Sequence, residues 1–148
     1  MMKINKLKIV IDTNVLLVSV SSNSKFHWLY RALLDMDFEV SISNEILTEY
    51  EEVFKRHWST EVADDVLRNL IEQPNVHQAI IYFHLLLITV DPDDDKFVDC
   101  AFASGVDYIL TNDTDYNILK KIEFPKIKVV TIQEFEEIFR TQMNRKIN

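Results

Sequence analysis

The chain has 148 residues, a single glycine, Gly105, and a formal net charge of −8. An average glycine usage of about 7% would give roughly ten. A dinucleotide-binding G-x-G-x-x-G turn needs three glycines and a Walker A loop needs two, so the sequence excludes both phosphate-binding loops. The excess of 24 acidic over 16 basic residues also excludes a long-range positive field for nucleic acid. Any phosphate chemistry in this chain is therefore expected to depend on a metal ion.

The overall composition is that of a folded domain. Hydrophobic residues make up 47% of the chain and aromatic residues 11%, which predicts one domain over residues 1–148 with a sizeable core. Cys100 is the single cysteine, so an intrachain disulfide and a cysteine zinc site are excluded. No apolar run approaches the ~20 residues needed to span a bilayer, and the first residues lack a signal-peptide pattern. These features predict a cytoplasmic protein without membrane contact.

Five short apolar runs are predicted as β-strands. They cover residues 8–11, 39–42, 86–90, 107–110 and 128–131. Several are rich in Val and Ile, and most are continuous rather than alternating, a pattern typical of strands buried on both faces of a parallel sheet.

Amphipathic patterns between these runs predict helices. They cover residues 26–36, 44–57, 60–71, 75–84, 94–104, 116–121 and 132–140. Ser43 is predicted as an N-cap, Thr131 and Glu134 as a capping box, and Gly105 as a left-handed helix terminator. Strands alternating with helices predict an α/β fold, here a three-layer α/β/α arrangement with a five-stranded, mainly parallel sheet.

Acidic residues follow three of the predicted strands directly. Asp12 follows the first strand, the run 91–95 follows the third, and Asp113 lies just beyond the fourth. Ligands of open α/β sheets bind outside the carboxyl ends of the strands, so these carboxylates are expected at one edge of the sheet. Glu49 borders the apolar face of its helix, and Asp94 lies on the inward stripe of the helix that it begins.

Each acid also has an ordinary interpretation as a turn, cap or salt-bridge residue, and solvated turns are the favoured interpretation for Asp91, Asp93 and Asp95. Carboxylates that converge at one edge repel each other strongly unless a cation lies among them. No Lys or Arg is placed by the same pattern to neutralise them. Carboxylates without cysteine or organised histidine favour hard cations, so the sequence predicts Mg²⁺ or Mn²⁺.

Four segments together resemble the PIN domain family over nearly the whole chain. They read KIVIDTNVLLVSV, SISNEILTEYEEVFKRH, DPDDDKFVDCAFASGVDYILTND and KIKVVTIQEFEEIF. The resemblance is strongest to the prokaryotic branch that supplies toxins of toxin–antitoxin pairs. It implies a metal-dependent ribonuclease of single-stranded RNA, with a small antitoxin protein covering the acidic pocket.

The resemblance also implies the site residues. The four family acids fall on Asp12, Glu49, Asp94 and Asp113, as catalytic residues and metal ligands. Supporting or weaker positions are Thr13, Asn14, Thr111, Asp115 and Asp99. Asp99 lies about 140° around its helix from Asp94, so a solvated position is favoured for it.

Basic and aromatic side chains provide further candidate contacts. The basic residues that could reach phosphate groups are Lys25, Lys55, Arg56, Lys96, Lys120 and Lys121. Phe26, Trp28 and Trp58 could stack on bases, although core packing is favoured. The apolar run 80–87 could serve a homodimer or the antitoxin, with ordinary core as the favoured interpretation.

Two other functions stay open at this level. A PIN-like scaffold could act as a binding or assembly module without significant nuclease activity. A phosphatase or receiver-like domain is the second alternative. A phosphatase would need an Asp-x-Asp after the first strand, and Asn14 occupies the second of those positions.

Overall fold

The computed structural model describes residues 5–88, 91–123 and 125–147. Its centre is a sheet of five strands, namely β1 (Lys8–Ile11), β2 (Glu39–Ile42), β3 (Val76–Gln78), β4 (Tyr108–Leu110) and β5 (Val129–Val130). The strand order is β3-β2-β1-β4-β5, and all four pairings are parallel. The central strand β1 therefore lies between β2 and β4, with Ile9 in register with Val40 on one side and Tyr108 on the other.

Helices cover the sheet in a three-layer α/β/α architecture, as the sequence predicts. The α-helices are α1 (Thr13–Val20), α2 (His27–Leu34), α3 (Asn44–His57), α4 (Thr60–Glu72), α5 (Asp95–Ser104) and α6 (Ile132–Ile147). Two 3₁₀ segments, Pro92–Asp94 and Thr114–Lys121, precede α5 and follow β4. Helix α5 packs against β1, β2 and β4, which sets its amino end close to the middle of the sheet.

The predicted helix ends are confirmed where a capping residue defines them. The Ser43 side chain accepts a hydrogen bond from the backbone N–H of Ile46 at the start of α3. Thr131 and Glu134 exchange backbone-to-side-chain hydrogen bonds of 3.0 and 3.1 Å at the start of α6. Gly105 ends α5 with φ +61°, the left-handed conformation that glycine adopts without steric cost.

The third strand differs from its prediction. A strand was expected over 86–90 and a helix over 75–84, but Val76–Gln78 forms β3 and residues 79–88 have no regular structure; residues 89 and 90 lie outside the described chain. The Asn75 side chain donates to the carbonyls of Leu33 and Phe38 at 2.9 and 2.8 Å. These long-range bonds hold the chain beside β2. The sequence did not predict β3 because a strand of three residues is too short to show a recognisable period.

Helix α1 is absent from the sequence prediction. Its eight residues are mostly apolar, four of them are buried, and they form no polar face that would show a helical period. The helix nevertheless sets the geometry of the site, because it begins at Thr13, immediately after the acid that ends β1.

The segment 79–88 presents several large apolar side chains to solvent. Ile80, Tyr82, Phe83 and Leu86 are all more than half exposed, so the interpretation of this run as ordinary core is wrong for them. Its other apolar residues, Ile81, Leu85, Leu87 and the fully buried Ile88, pack against the core. Across the residues that the structure describes, no helix has the length and apolarity to cross a membrane.

Candidate metal centre

Asp12 lies at the carboxyl end of the central strand. Its backbone N–H continues the β1–β4 pairing by donating to the carbonyl of Leu110 at 2.9 Å. It is the N-cap residue of α1, yet its side chain makes no capping hydrogen bond. The carboxylate instead accepts a hydrogen bond of 2.7 Å at Oδ2 from the Thr111 hydroxyl. Only 8% of the residue is exposed, so a largely buried carboxylate is held at the edge where the sheet ends.

The environment of Asp12 opposes its ionisation. Burial raises the pKa of its carboxyl above the usual value, and the charges of Glu49 and Asp113 raise it further. The hydrogen bond from the Thr111 hydroxyl and the nearby Thr13 backbone N–H lower the pKa and only partly offset this effect. A cation at this position would offset both the energetic cost of burying the ionised carboxylate and its repulsion by the neighbouring acids.

Asp94 occupies the 3₁₀ turn that leads into α5. Its Oδ2 atom is buried and has no hydrogen-bond partner among the described residues. Burial, followed by the charges of Asp91, Asp12 and Asp113, raises the pKa of Asp94 to about 7. One carboxylate oxygen from each of Asp91, Asp94 and Asp115 lies within 4.8 Å of the others. The acids therefore form one electrostatically coupled group rather than separate surface charges.

Asp113 joins this group from the end of β4. Its backbone N–H donates to the Thr111 hydroxyl at 3.0 Å, and its Oδ1 accepts from the backbone N–H of Asp115 at 2.9 Å. The second bond caps the 3₁₀ helix Thr114–Lys121. The Thr111 hydroxyl thus connects the two strand-end acids, because it donates to Asp12 and accepts from Asp113.

Glu49 faces the same region from α3, but its carboxylate is already bonded within the protein. The Thr13 hydroxyl donates to Oε2, and the Lys96 ammonium donates to Oε1 at 2.9 Å. Burial of Lys96 lowers its pKa, but the hydrogen bond and charge of Glu49, with the charges of Asp93 and Glu45, outweigh this and raise it. The expectation that no basic residue neutralises the acids is therefore wrong at Glu49.

A cleft of about 380 Å³ opens beside the strand-end acids. Asp12 and Asp113 form its acidic wall, Asn14 and Asn112 add amide groups, and the remaining lining is apolar, from Val15, Val18 and Phe26. Trp28 stacks on Phe135 and Phe139, and Trp58 packs on Phe54. Of the three aromatic residues considered for base stacking, Phe26 is the one that lines this cleft.

Two acids in α5 are placed differently from their predictions. Asp95 and Asp99 were expected in solvent, but both are buried. Asp95 accepts a 2.7 Å hydrogen bond from the backbone N–H of Ile88. Asp99 accepts from Leu85 N–H at 2.9 Å and from His84 Nδ1 at 2.8 Å. Both therefore anchor the segment 79–88 to α5, and the hydrogen bonds of Asp99 lead away from the cluster.

The route that brings the acids together also differs. Asp12 and Asp113 do follow strands, but residues 86–88 form no strand, and Asp91 and Asp94 reach the site through the turn before α5. Sequence reasoning favoured a solvated Asp91, whereas the structure places it within reach of Asp94 and Asp115. The sequence presents Lys96 as one of six candidate phosphate contacts, whereas the structure pairs it with Glu49. The position of Lys96 two residues after Asp94 was the sequence signal that could have predicted a basic side chain beside the acidic residues.

The donor set fits a divalent metal ion. The buried Asp94 Oδ2 has no partner in the described chain, and its neighbours are carboxylates whose charges oppose its ionisation. Oxygen donors without histidine or cysteine suit Mg²⁺ or Mn²⁺ better than zinc.

Comparison with known proteins places this geometry in a family. The sequence profile of the PIN domain matches residues 8–115. The chain belongs to the PIN domain family. No curated protein has a significantly similar sequence.

Solved PIN domains share the fold at low sequence identity. VapBC2 from Rickettsia felis, bound to a DNA fragment from its promoter, has a TM-score of 0.60 at 15% identity over 84% of this chain and 98% of that chain. DNA-bound VapBC from Salmonella typhimurium has a TM-score of 0.57 at 18% identity, covering 85% and 98%. The PIN domain endonuclease Utp24 has a TM-score of 0.50 at 17% identity, covering 84% of each. Family membership and the acidic cluster together support a nuclease.

Proposed function

We propose that this PIN domain is a metal-dependent endoribonuclease that hydrolyses RNA phosphodiester bonds at its acidic cluster. The observation that carries the proposal is Asp94, whose buried Oδ2 lacks a partner in the described chain while three other acids repel its charge. A folded protein does not ordinarily keep such a group without a compensating ligand. A divalent cation is the ligand that matches this donor set.

Asp12, Asp94 and Asp113 would hold the ion, and Glu49 would complete the cluster directly or through water. When bound, Mg²⁺ or Mn²⁺ would polarise the phosphodiester, neutralise developing charge and lower the pKa of a water molecule. The Thr111 hydroxyl fixes the Asp12 carboxylate through its 2.7 Å hydrogen bond. Asn14 and Asn112, which line the cleft, supply neutral polar groups beside the acids without adding repulsion toward phosphate.

The other ionisable groups near the site are unsuited to act as a base or nucleophile. The Tyr116 hydroxyl donates to the Asp94 backbone carbonyl at 3.4 Å, and burial raises its pKa far above the usual range. It therefore stays protonated and holds the turn that carries Asp94. Burial also raises the pKa of the Cys100 thiol to about 12, so this cysteine stays a thiol at neutral pH. The carboxylates are left as the groups that handle protons.

We further propose that the protein is the toxin of a toxin–antitoxin pair in the cytoplasm, with a small antitoxin as its partner. Support comes from the VapBC structures, which were determined bound to DNA and whose fold this chain shares. A small open reading frame next to the gene would be consistent with this proposal. Co-purification of its product with the chain would test it directly.

The decisive test is cleavage of a panel of single-stranded and structured RNAs with Mg²⁺, with Mn²⁺ and with EDTA. Asp12→Asn should reduce cleavage by more than the ~10–100-fold typical of losing a partner that only orients a metal ligand. Asp93→Asn is the matched control, because Asp93 is exposed and belongs neither to the strand-end acids nor to the group of Asp91, Asp94 and Asp115. Circular dichroism should show that both variants fold.

Full activity of Asp12→Asn with metal present would refute the site assignment. Metal binding without cleavage of any RNA would refute the nuclease and favour the alternative, a PIN-like binding or assembly module.

A further inference from the structure

Glu49 differs from the other acids in its bonding. Oε1 accepts from the Lys96 ammonium at 2.9 Å, and Oε2 accepts from the Thr13 hydroxyl. Both oxygens therefore already have a protein donor. Asp94, in contrast, keeps a buried oxygen with no partner in the described chain, and none of the salt bridges among the described residues includes Asp12, Asp94 or Asp113.

The Lys96–Glu49 pair is also the most enclosed ion pair among the described residues. Its side chains are 18% and 23% exposed, and it is the one pair in which both values fall below a quarter. A second Lys–Glu pair on α3, Lys55–Glu51, has nearly the same length, 3.0 Å, but its side chains are 38% and 52% exposed. Water screens an exposed pair strongly and an enclosed pair much less. The Lys96 charge consequently acts on Glu49 with less screening than Lys55 acts on Glu51.

The backbone also determines where the ammonium lies. Lys96 is in the first turn of α5, two residues after Asp94, and it reaches across to α3. It thereby places one positive charge between the helix that carries Glu49 and the turn that carries Asp94. A divalent ion bound at Glu49 would have to displace this ammonium and the Thr13 hydroxyl, and it would meet the repulsion of the displaced charge.

We infer that Lys96 is a built-in cation that neutralises Glu49, so that the site takes one divalent ion on its Asp94 side and not a second one at Glu49. The inference rests on the proposed function, because it assumes that the acidic cluster binds metal. It makes Lys96 a positioning residue that fixes the metal count, and it makes Glu49 a partner of Lys96 and not a direct ligand.

The test is the number of Mn²⁺ ions bound per chain, measured by calorimetric titration and by the electron paramagnetic resonance signal of free Mn²⁺. We expect one ion for the unmodified chain. Lys96→Gln should bind two, because Glu49 is then left unneutralised. Lys96→Arg keeps the charge and should bind one. Lys55→Gln removes the same charge from the exposed pair on α3 and should also bind one.

Three further variants keep the test decisive if Lys96→Gln alone does not fold. Glu49→Gln should retain the single ion, whereas Asp94→Asn should lose it. The double variant Lys96→Gln/Glu49→Gln should return to one ion, because the second carboxylate is gone.

Two ions in the unmodified protein, or loss of the single ion in Glu49→Gln, would overturn the inference while leaving the metal-dependent nuclease intact. A Lys96→Gln variant that folds and still binds one ion would also overturn it. A protein that binds no Mn²⁺ would overturn the proposed function and the inference together. One ion without RNA cleavage would refute the nuclease alone, because the stoichiometry is independent of turnover.

Discussion

The raised pKa of Asp94 predicts that replacing this acid stabilises the metal-free protein. The folded state holds the proton of Asp94 with a pKa of about 7, against an ordinary value of 3.8. A proton therefore favours the folded state, and the wild-type free energy of unfolding falls as the pH rises from about 4 through 7. Asp94→Asn removes the titrating group, so this loss of stability should disappear in the variant.

The size of the effect follows from the same two values. The difference between 3.8 and about 7 corresponds to ~4 kcal/mol once the group is fully ionised, at 1.36 kcal/mol for each pKa unit. Asp94 is only partly buried, and screening by water reduces this to about 2 kcal/mol. In EDTA at pH 8, Asp94→Asn should therefore be more stable than the wild type by about 2 kcal/mol. The difference should vanish below about pH 4, where Asp94 is protonated in both states.

Urea unfolding at several pH values measures this difference, and Asp93→Asn is the control. That exposed acid should change the free energy of unfolding by less than about 0.5 kcal/mol. Added Mn²⁺ should reverse the order of stability. An ion at 100 times its dissociation constant stabilises the wild type by ~2.7 kcal/mol, and the variant lacks the ligand. A metal-free Asp94→Asn protein that is no more stable than the wild type at pH 8 would refute the claim that burial and the neighbouring carboxylates oppose ionisation of Asp94.

Three other substitutions give separate outcomes. Thr111→Val removes the 2.7 Å hydrogen bond to Asp12. Since that bond lowers the pKa of Asp12, the acid limb of the cleavage pH profile should move to higher pH. An unchanged profile would argue against this coupling. Asp99→Ala leaves the half-buried Leu85 N–H and the His84 ring without their acceptor and should cost about 2 kcal/mol in denaturant unfolding, with cleavage per folded molecule unchanged because Asp99 bonds away from the site. Gly105→Ala meets no atom within 4 Å but keeps φ +61°, so thermal unfolding should show a loss of about 1 kcal/mol and cleavage should not change.

The sequence by itself determined the parallel α/β sheet, since β1 carries a continuous apolar run, and its residues Ile9, Val10 and Ile11 are fully buried. It also determined that Asp12 and Asp113 follow strands of this sheet and lie at one edge, because the ends of parallel strands share that edge. The helix caps at Ser43, Thr131 and Gly105 depend on residues that are close in the sequence, so local patterns were enough to predict them. The resemblance to the PIN domain family was likewise readable from ordered motifs, and residues 8–115 match that family.

Tertiary structure alone decided the position of β3 and the electrostatic state of the acids. Strand β3 is set by the Asn75 bonds to residues 37 and 42 positions away in the chain, which no local period encodes. The buried Asp94 oxygen and the partnership of Glu49 with Lys96, 47 residues away, depend on how α3 and α5 pack against each other. Sequence patterns report which side of a helix is apolar, but the energy of a carboxylate depends on burial and on charges from distant segments. For this reason the sequence could identify the candidate acids, but only the fold could show that Glu49 is already paired with a lysine and that Asp94 is not.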